Sequence, residues 1–293
     1  MSSKVTPGKA TIAIRRVNVL SAGSGRDGLA VFEGILSFKP FEAPLYSSRW
    51  NTGVPAMLRN LGSRYQAIKS PWPDYAIYSL PDASRIEACD RQSLMDAMNG
   101  IIAVNWQATE PHWTATSSPF DRKYSLILVY DGSALVAFTV YRILQLSAGP
   151  GIYRSGTEVL PAHQGRGLYG FFTAEVLRCS GATERADGSV LYGWRTRNPI
   201  VWAANAKICE KVTPSLLDDM QDPALQAACV EMCASLYPGK PLELPDMIMR
   251  GAYGHIKHHR QAYHGTASLV DAAMSRKIPN SADALFSVGY ARV

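Results

Sequence analysis

The sequence predicts an α/β fold in which helices and strands alternate about a central sheet, with a smaller αβ extension in front of it. Three patterns predict it. From Asp90, the residues Leu94, Met95, Met98, Ile101, Ile102 and Asn105 recur at the three-and-four spacing of a helix that buries one side. SLILVYDGSALVAFTVYRIL (125–144) is two β-rich runs joined at Asp131-Gly132, a dipeptide suited to a hairpin turn that needs positive φ. VLPAHQGRGLYGFFTAEVL (159–177) is a strand end, a proline, a glycine-flanked turn and then an amphipathic helix.

Taken in chain order, ATIAIRRVNVL (10–20) and GLAVFEGILSFK (28–39) read as strands, and VPAMLRNLGSRYQAI (54–68) reads as a helix stopped before Ser70-Pro71. SPWPDYAIYSLPDAS (70–84) is proline-rich and leads into a strand, AIYSL. The division is therefore an αβ extension over 1–70 and a main domain over 71–293. The helix from Asp90 ends before Pro111, the hairpin follows, and GIYRSGTEVL (151–160) is the next strand. The helix after it places Leu168, Phe171, Phe172, Val176 and Cys179 along one face. SVLYGWRT (189–196) is a strand, and Asn198-Pro199 opens a helix read over 198–212, with proline in the first turn where its missing N–H costs nothing. A helix at 223–237 and strands at 247–254 and 284–293 complete the chain. The last two are read as the sixth and seventh strands of the sheet, with a helical insertion near 257–276 between them.

Composition narrows the function classes. At 293 residues, with 47% hydrophobic and 10% aromatic residues, the chain has enough apolar surface for a real core and lacks the low hydrophobicity of a disordered protein. Thirty Lys+Arg against 24 Asp+Glu give a net charge of +6, which suits an anionic ligand, a nucleotide cofactor or RNA. No run of five basic residues marks a nucleic-acid tail. Five cysteines without a CxxC pair, no apolar leader and no stretch near eighteen apolar residues lead to the expectation of a reduced, cytoplasmic protein with no membrane segment.

The turn at 164–169 carries the functional reading. A helix N-terminus exposes unpaired N–H groups and the positive end of its dipole, so a phosphate placed there gains hydrogen bonds from a preformed site. Gly165 and Gly167 would let backbone approach a pyrophosphate closely and adopt positive φ, and Arg166 adds charge. The loop lacks the Gly-Lys-Ser/Thr ending of the nucleotide P-loop and the third glycine of the dinucleotide fingerprint.

Gln164-Gly165-Arg166-Gly167-Leu168-Tyr169 resembles the acyl-CoA-binding motif of the GCN5-related N-acetyltransferases, Gln/Arg-x-x-Gly-x-Gly/Ala. Val159-x-Pro161 before it, and the later strand followed by Asn198, are similar too, so the resemblance covers roughly 75–215. One departure is Tyr169, which replaces the small last residue and narrows the space near the phosphates. The resemblance implies a mixed, mostly antiparallel sheet whose fourth and fifth strands, here 151–160 and 189–196, splay apart to admit pantetheine. It implies acetyl-CoA or another acyl-CoA as cosubstrate, with phosphates on the amides of 164–169 and with Thr157, Val159 and Asn198 beside the cofactor. The implied activity is N-acyl transfer to a primary amine of a small molecule. A macromolecular amine on aminoacyl-tRNA or protein, or a non-enzymatic acyl-CoA-binding protein, are the alternatives.

Acyl transfer needs a deprotonated amine and a stabilised carbonyl oxygen. Glu158 is the nearest carboxylate and the candidate base, against the alternative of a solvated or salt-bridged side chain on the opposite strand face from Thr157 and Val159. The family's tyrosine after the fifth strand is missing from 198–212, which leaves Tyr192 or Cys209 as relocated acid candidates; Trp202 reads as packing. His255, His258, His259 and His264 lack a carboxylate or cysteine partner at metal-ligand spacing and read as a basic helix start, with no metal. Trp50, Trp72, Tyr75, Trp106 and Trp113 are candidates for an acceptor pocket or for core. The 257–276 insertion, with Lys257 and Arg260, is the expected acceptor-specificity element.

Overall fold

The computed structural model describes residues 65–108, 110–120, 124–179, 188–218, 221–253, 256–258 and 268–292. The strands expected at 10–20 and 28–39 lie outside the described residues, as do Trp50 and most of the helix expected at 54–68. The described end of that helix, β1 (Gln66–Ile68), is a strand instead, because its backbone pairs antiparallel with the edge of β2 (Tyr75–Leu80).

The helix from Asp90 is α1 (Ala88–Asn105), and its buried residues after Asp90 are the six that the spacing selected. It runs directly into β3 (Trp106–Ala108). The hairpin is β4 (Ser125–Asp131) and β5 (Ala134–Leu146), with Gly132 at φ 56 in the turn. A second tight turn leads to β6 (Gly149–Val159), followed by α2 (Leu168–Cys179) and β7 (Ser189–Thr196). Asn198 caps α3 (Pro199–Ala206), its side chain accepting from the amides of Ile200 and Val201. The helix read over 198–212 stops there. Cys209–Thr213 is a strand, β8, because its backbone completes the sheet beside the C-terminal strand. The chain continues through α4 (Pro223–Leu236), β9 (Ile248–Met249), β10 (Ile256–His258), α5 (Ser268–Lys277) and β11 (Ala284–Arg292).

The main sheet runs β1-β2-β4-β5-β6-β7-β11-β8, with β9 also on β11. Every neighbouring pair is antiparallel except β6 and β7, which are parallel. The mixed, mostly antiparallel sheet with flanking helices is thus present, while two of its late strands differ from the expectation. The stretch read as a strand over 247–254 contributes only the two-residue β9, because Met247 (φ 54) and Gly251 (φ 61) turn the backbone out of the extended region on either side. The strand after β7 is β8, and β11 inserts between the two. Lys257 and His258 pair with Gln107 and Trp106 in a separate two-stranded sheet; Arg260 lies outside the described residues.

Alternation along the strands sorts the core onto two faces. Ile127 and Val129 join Leu168, Phe172 and Val176 of α2, Trp202 of α3 and Met274 of α5. Leu126, Leu128 and Tyr130 face α1, and further along the same side Tyr153 and Phe286 pack on α4. The sheet is covered on both sides, and one pair of its strands separates before its end.

Candidate active site

That separation lies between β6 and β7. Their parallel register runs from Gly151↔Leu191 to Arg154↔Trp194 and stops there, although β6 continues to Val159. The cause is local. Val140 faces Gly156 while Tyr141 faces Arg154, so Ser155 is an extra residue in β6, a bulge that bends the strand away from its neighbour. Leu160 donates its amide to Val136 on the β5 side. Successive N–H groups on a strand point to opposite edges, so the amides of Thr157 and Val159 face the gap. The cleft that opens here is lined by residues 154–158 of β6, 194–198 at the end of β7, Trp106 and Trp113 near α1, Tyr169, Val201 and Asn205 of α2 and α3, and Tyr253.

Beyond the end of β6 the chain forms the glycine turn. Gly165 has φ +76 and Gly167 φ +83, and residues 164–167 are exposed, so bare backbone precedes the N-terminus of α2 as the sequence required. Gln164 does not reach outward: its side-chain amide donates to the Val159 carbonyl at 3.0 Å and ties the loop to the strand end. Arg166 sits 5.8 Å from the Tyr75 ring, which packs on Trp72, and Trp72 in turn on Phe171. Leu168 is buried in the core and offers the site only backbone. The narrowing expected from Tyr169 does not arise at the loop. Its side chain runs into the cleft, where the hydroxyl donates to Asn205 Oδ1 at 3.1 Å and the ring covers the Arg154 guanidinium at 4.0 Å.

Glu158 projects from β6 toward α1. Asn105, the last residue of that helix, donates to Oε2 at 2.7 Å, and the Trp106 indole donates to Oε1 at 2.9 Å. The residue is half-buried, and both bonds to its carboxylate come from neutral donors. Burial pushes its pKa from 4.5 up to about 7, against the two hydrogen bonds, which favour the ionised form. On the opposite face Thr157 Oγ1 lies 2.7 Å from Thr139 Oγ1 and accepts from Arg154 Nε at 2.8 Å. Asn198 lines the cleft, but its Oδ1 is engaged by the α3 amides.

Tyr192 is fully buried in the core, its hydroxyl accepting from Arg154 at 3.4 Å, and burial raises its pKa to about 12. It does not line the cleft, and neither does Cys209, whose thiol burial likewise raises to about 12. Sequence reasoning missed Arg154, Arg195 and Tyr253, which all line the cleft. Tyr253 stacks on Trp106 at 5.9 Å and lies under Arg195 at 5.2 Å. Arg154 did carry a signal, being a charge in the middle of an otherwise uncharged strand segment, GIYRSGT. Among the described residues no group of His, Cys, Asp or Glu could hold a metal ion, and no helix is long and apolar enough to cross a membrane.

No family model matches the chain, and no curated protein does. Solved structures similar to it include the ribosomal-protein-S18-alanine N-acetyltransferase of Escherichia coli, at 14% identity over 75% of this chain and 95% of that one, with a TM-score of 0.34. Arabidopsis thaliana Naa50 in complex with the bisubstrate analogue CoA-Ac-MVNAL is 13% identical over 44% of this chain and 86% of that one, at 0.31. The aminoglycoside N-acetyltransferase AAC(6')-Iy in complex with CoA is 14% identical over 36% and 67%, at 0.25. The similarity is low both in sequence and in superposition.

Proposed function

We propose that the chain is an acyl-CoA-dependent N-acyltransferase of the GCN5-related kind, acting on a primary amine of a small molecule. The observation that carries the reading is the β6 edge from Ser155 to Val159. It is released from β7, presents the Thr157 and Val159 amides to the gap, ends at a positive-φ glycine turn before a helix, and carries Glu158. Residues 164–169 would hold the phosphates of the cosubstrate, and the free strand edge would pair with its pantetheine arm.

Glu158 then has the geometry and titration range of a general base. With its carboxylate ionised, it takes the proton of the incoming amine directly or through one water. The amine nitrogen attacks the thioester carbon, a C–N bond forms, the C–S bond breaks, and coenzyme A leaves as a thiolate that takes up a proton. A backbone N–H on the β6 edge stabilises the carbonyl oxygen as charge builds. Neither Tyr192 nor Cys209 reaches the cleft, and a thiolate departs without a dedicated acid. Trp106, Trp113 and Tyr253 wall the Glu158 side, which favours a small acceptor over a macromolecular one.

The test is amine-dependent thiol release from acyl-CoA across an acceptor panel, with calorimetric titration of coenzyme A alongside. Release with a small amine supports the reading. Binding without release for any amine leaves a non-enzymatic binder, and release only with protein or RNA moves the acceptor to a macromolecule. Absence of coenzyme A binding overturns the reading altogether.

A further inference from the structure

The inner end of the gap, where β6 and β7 rejoin, is lined by hydrogen-bond donors that have no acceptor. Arg154 is 4% exposed and Trp194, its partner across the last parallel pair, is 1% exposed. Both line the cleft, as does Asn205, also 1% exposed. Arg154 Nη2, Trp194 Nε1 and Asn205 Nδ2 are each buried without a hydrogen-bond partner. Leaving one such group unsatisfied is costly, and three in one lining call for an occupant made of acceptors.

The charge argues the same way. The other two nitrogens of Arg154 bond only to neutral hydroxyls, those of Thr157, Thr173 and Tyr192. Among the described residues no carboxylate pairs with it; the Tyr169 ring lies 4.0 Å from the guanidinium, and a ring face offsets a buried cation only in part. Tyr169 links the group together, because its hydroxyl holds Asn205 Oδ1 and so turns that amide's NH2 free. The carboxylate nearest in the lining, Glu158, projects to the opposite face of the sheet, onto Asn105 and Trp106.

This inference rests on the acyl-CoA reading, which puts the phosphates at 164–169 and the thioester end of the arm at the closed end of the gap. We infer that the acyl group held there ends in a carboxylate, so that the donor is the coenzyme A thioester of a short dicarboxylic acid. Arg154 and Trp194 receive the distal carboxylate and Asn205 completes its shell. The transfer is unchanged in its balance: the amine nitrogen bonds the thioester carbon, coenzyme A leaves as the thiol, and the distal carboxylate stays on the amide product.

The experiment compares matched thioesters that differ by a carboxylate in place of a methyl group: succinyl- with butyryl-CoA, malonyl- with propionyl-CoA, and glutaryl- with valeryl-CoA. Calorimetric Kd values are read for each, with free coenzyme A as reference. At least one dicarboxylic member is expected to bind tenfold or more tightly than its methyl twin, and Arg154→Met is expected to bring that ratio close to one. Ratios near one for all three pairs in the unaltered protein overturn the inference, as does a preference that survives intact in folded Arg154→Met. If Arg154→Met does not fold, Trp194→Phe serves instead, removing one donor while keeping the ring; an undiminished ratio there counts against the inference. Failure of free coenzyme A to bind is a different result, which removes the acyl-CoA reading itself.

Discussion

The side-chain amide of Asn105, at the C-terminal end of α1, donates to Glu158 Oε2 at 2.7 Å and to the Val159 carbonyl at 3.1 Å. One buried residue thus fixes both the candidate base and the strand edge beside which it works. The carboxylate is held between a helix end and an indole, at a distance of fifty-odd residues in the chain, and that placement sets its titration.

Turnover is expected to rise with pH and to level off above about 7, following the loss of the Glu158 proton. Glu158→Gln should keep coenzyme A affinity and lose about 10²- to 10³-fold in turnover, with the limb near 7 gone from its pH profile. Wild-type turnover in that variant would remove Glu158 from the chemistry.

The same group should weaken the fold as it ionises. Its folded pKa, about 7, lies above the ordinary glutamate value of 4.5, so between these values the folded state binds more protons than the unfolded and stability falls as pH rises. Above 7 the loss is complete, at up to roughly 3 kcal/mol. Glu158→Gln is therefore expected to be less sensitive to pH across this window in denaturant titrations at pH 5 and pH 8. Equal pH dependence in both proteins would contradict the burial of the carboxylate.

Asn105 and Trp106 oppose the upward shift by bonding the ionised form. Trp106→Phe removes the 2.9 Å bond while keeping an aromatic side chain, and is expected to move the midpoint of the pH–rate profile above that of the unaltered protein. A midpoint that stays or falls would mean the indole does not hold the carboxylate.

At the loop, Gly167 has φ +83 and its nearest neighbour to an added Cβ is Trp72 at 4.0 Å, so space is not limiting but backbone conformation is. Gly167→Val is expected to cost about 1–3 kcal/mol of local strain and to weaken coenzyme A binding tenfold or more. Calorimetry checks it; unaltered affinity in a folded variant would take the loop out of the site.

Outside the cleft lining, Gly289 of β11 lies where an added Cβ would come 2.6 Å from the Lys211 carbonyl oxygen and 2.7 Å from Cys209 Sγ. A backbone oxygen on a paired strand cannot step aside. Gly289→Ala is expected to destabilise by about 1–3 kcal/mol through overpacking between β11 and β8, read as a lowered Tm. A Tm equal to that of the unaltered protein would show that β8 does not sit at this distance.

Much that rests on local period and local backbone need was legible in the chain before folding. The six apolar and polar positions of α1, the Asp131-Gly132 hairpin, the extent of β7, the Asn198 cap and the positive φ of Gly165 and Gly167 are local properties, set by residues within a few places of one another. The tertiary structure decided what depends on partners distant in the chain. Cys209–Thr213 became a strand because β11 offered it a ladder, and Gln66–Ile68 because β2 did. Tyr192 withdrew into the core while Tyr253 came to the cleft. The environment of Glu158 was decided by Asn105 and Trp106, and the exposure of Arg154 to the gap by a bulge at Ser155 that releases one strand from the next. A side chain's type is written in the sequence, but its pKa and its unpaired donors are set by burial and by neighbours that only folding assembles.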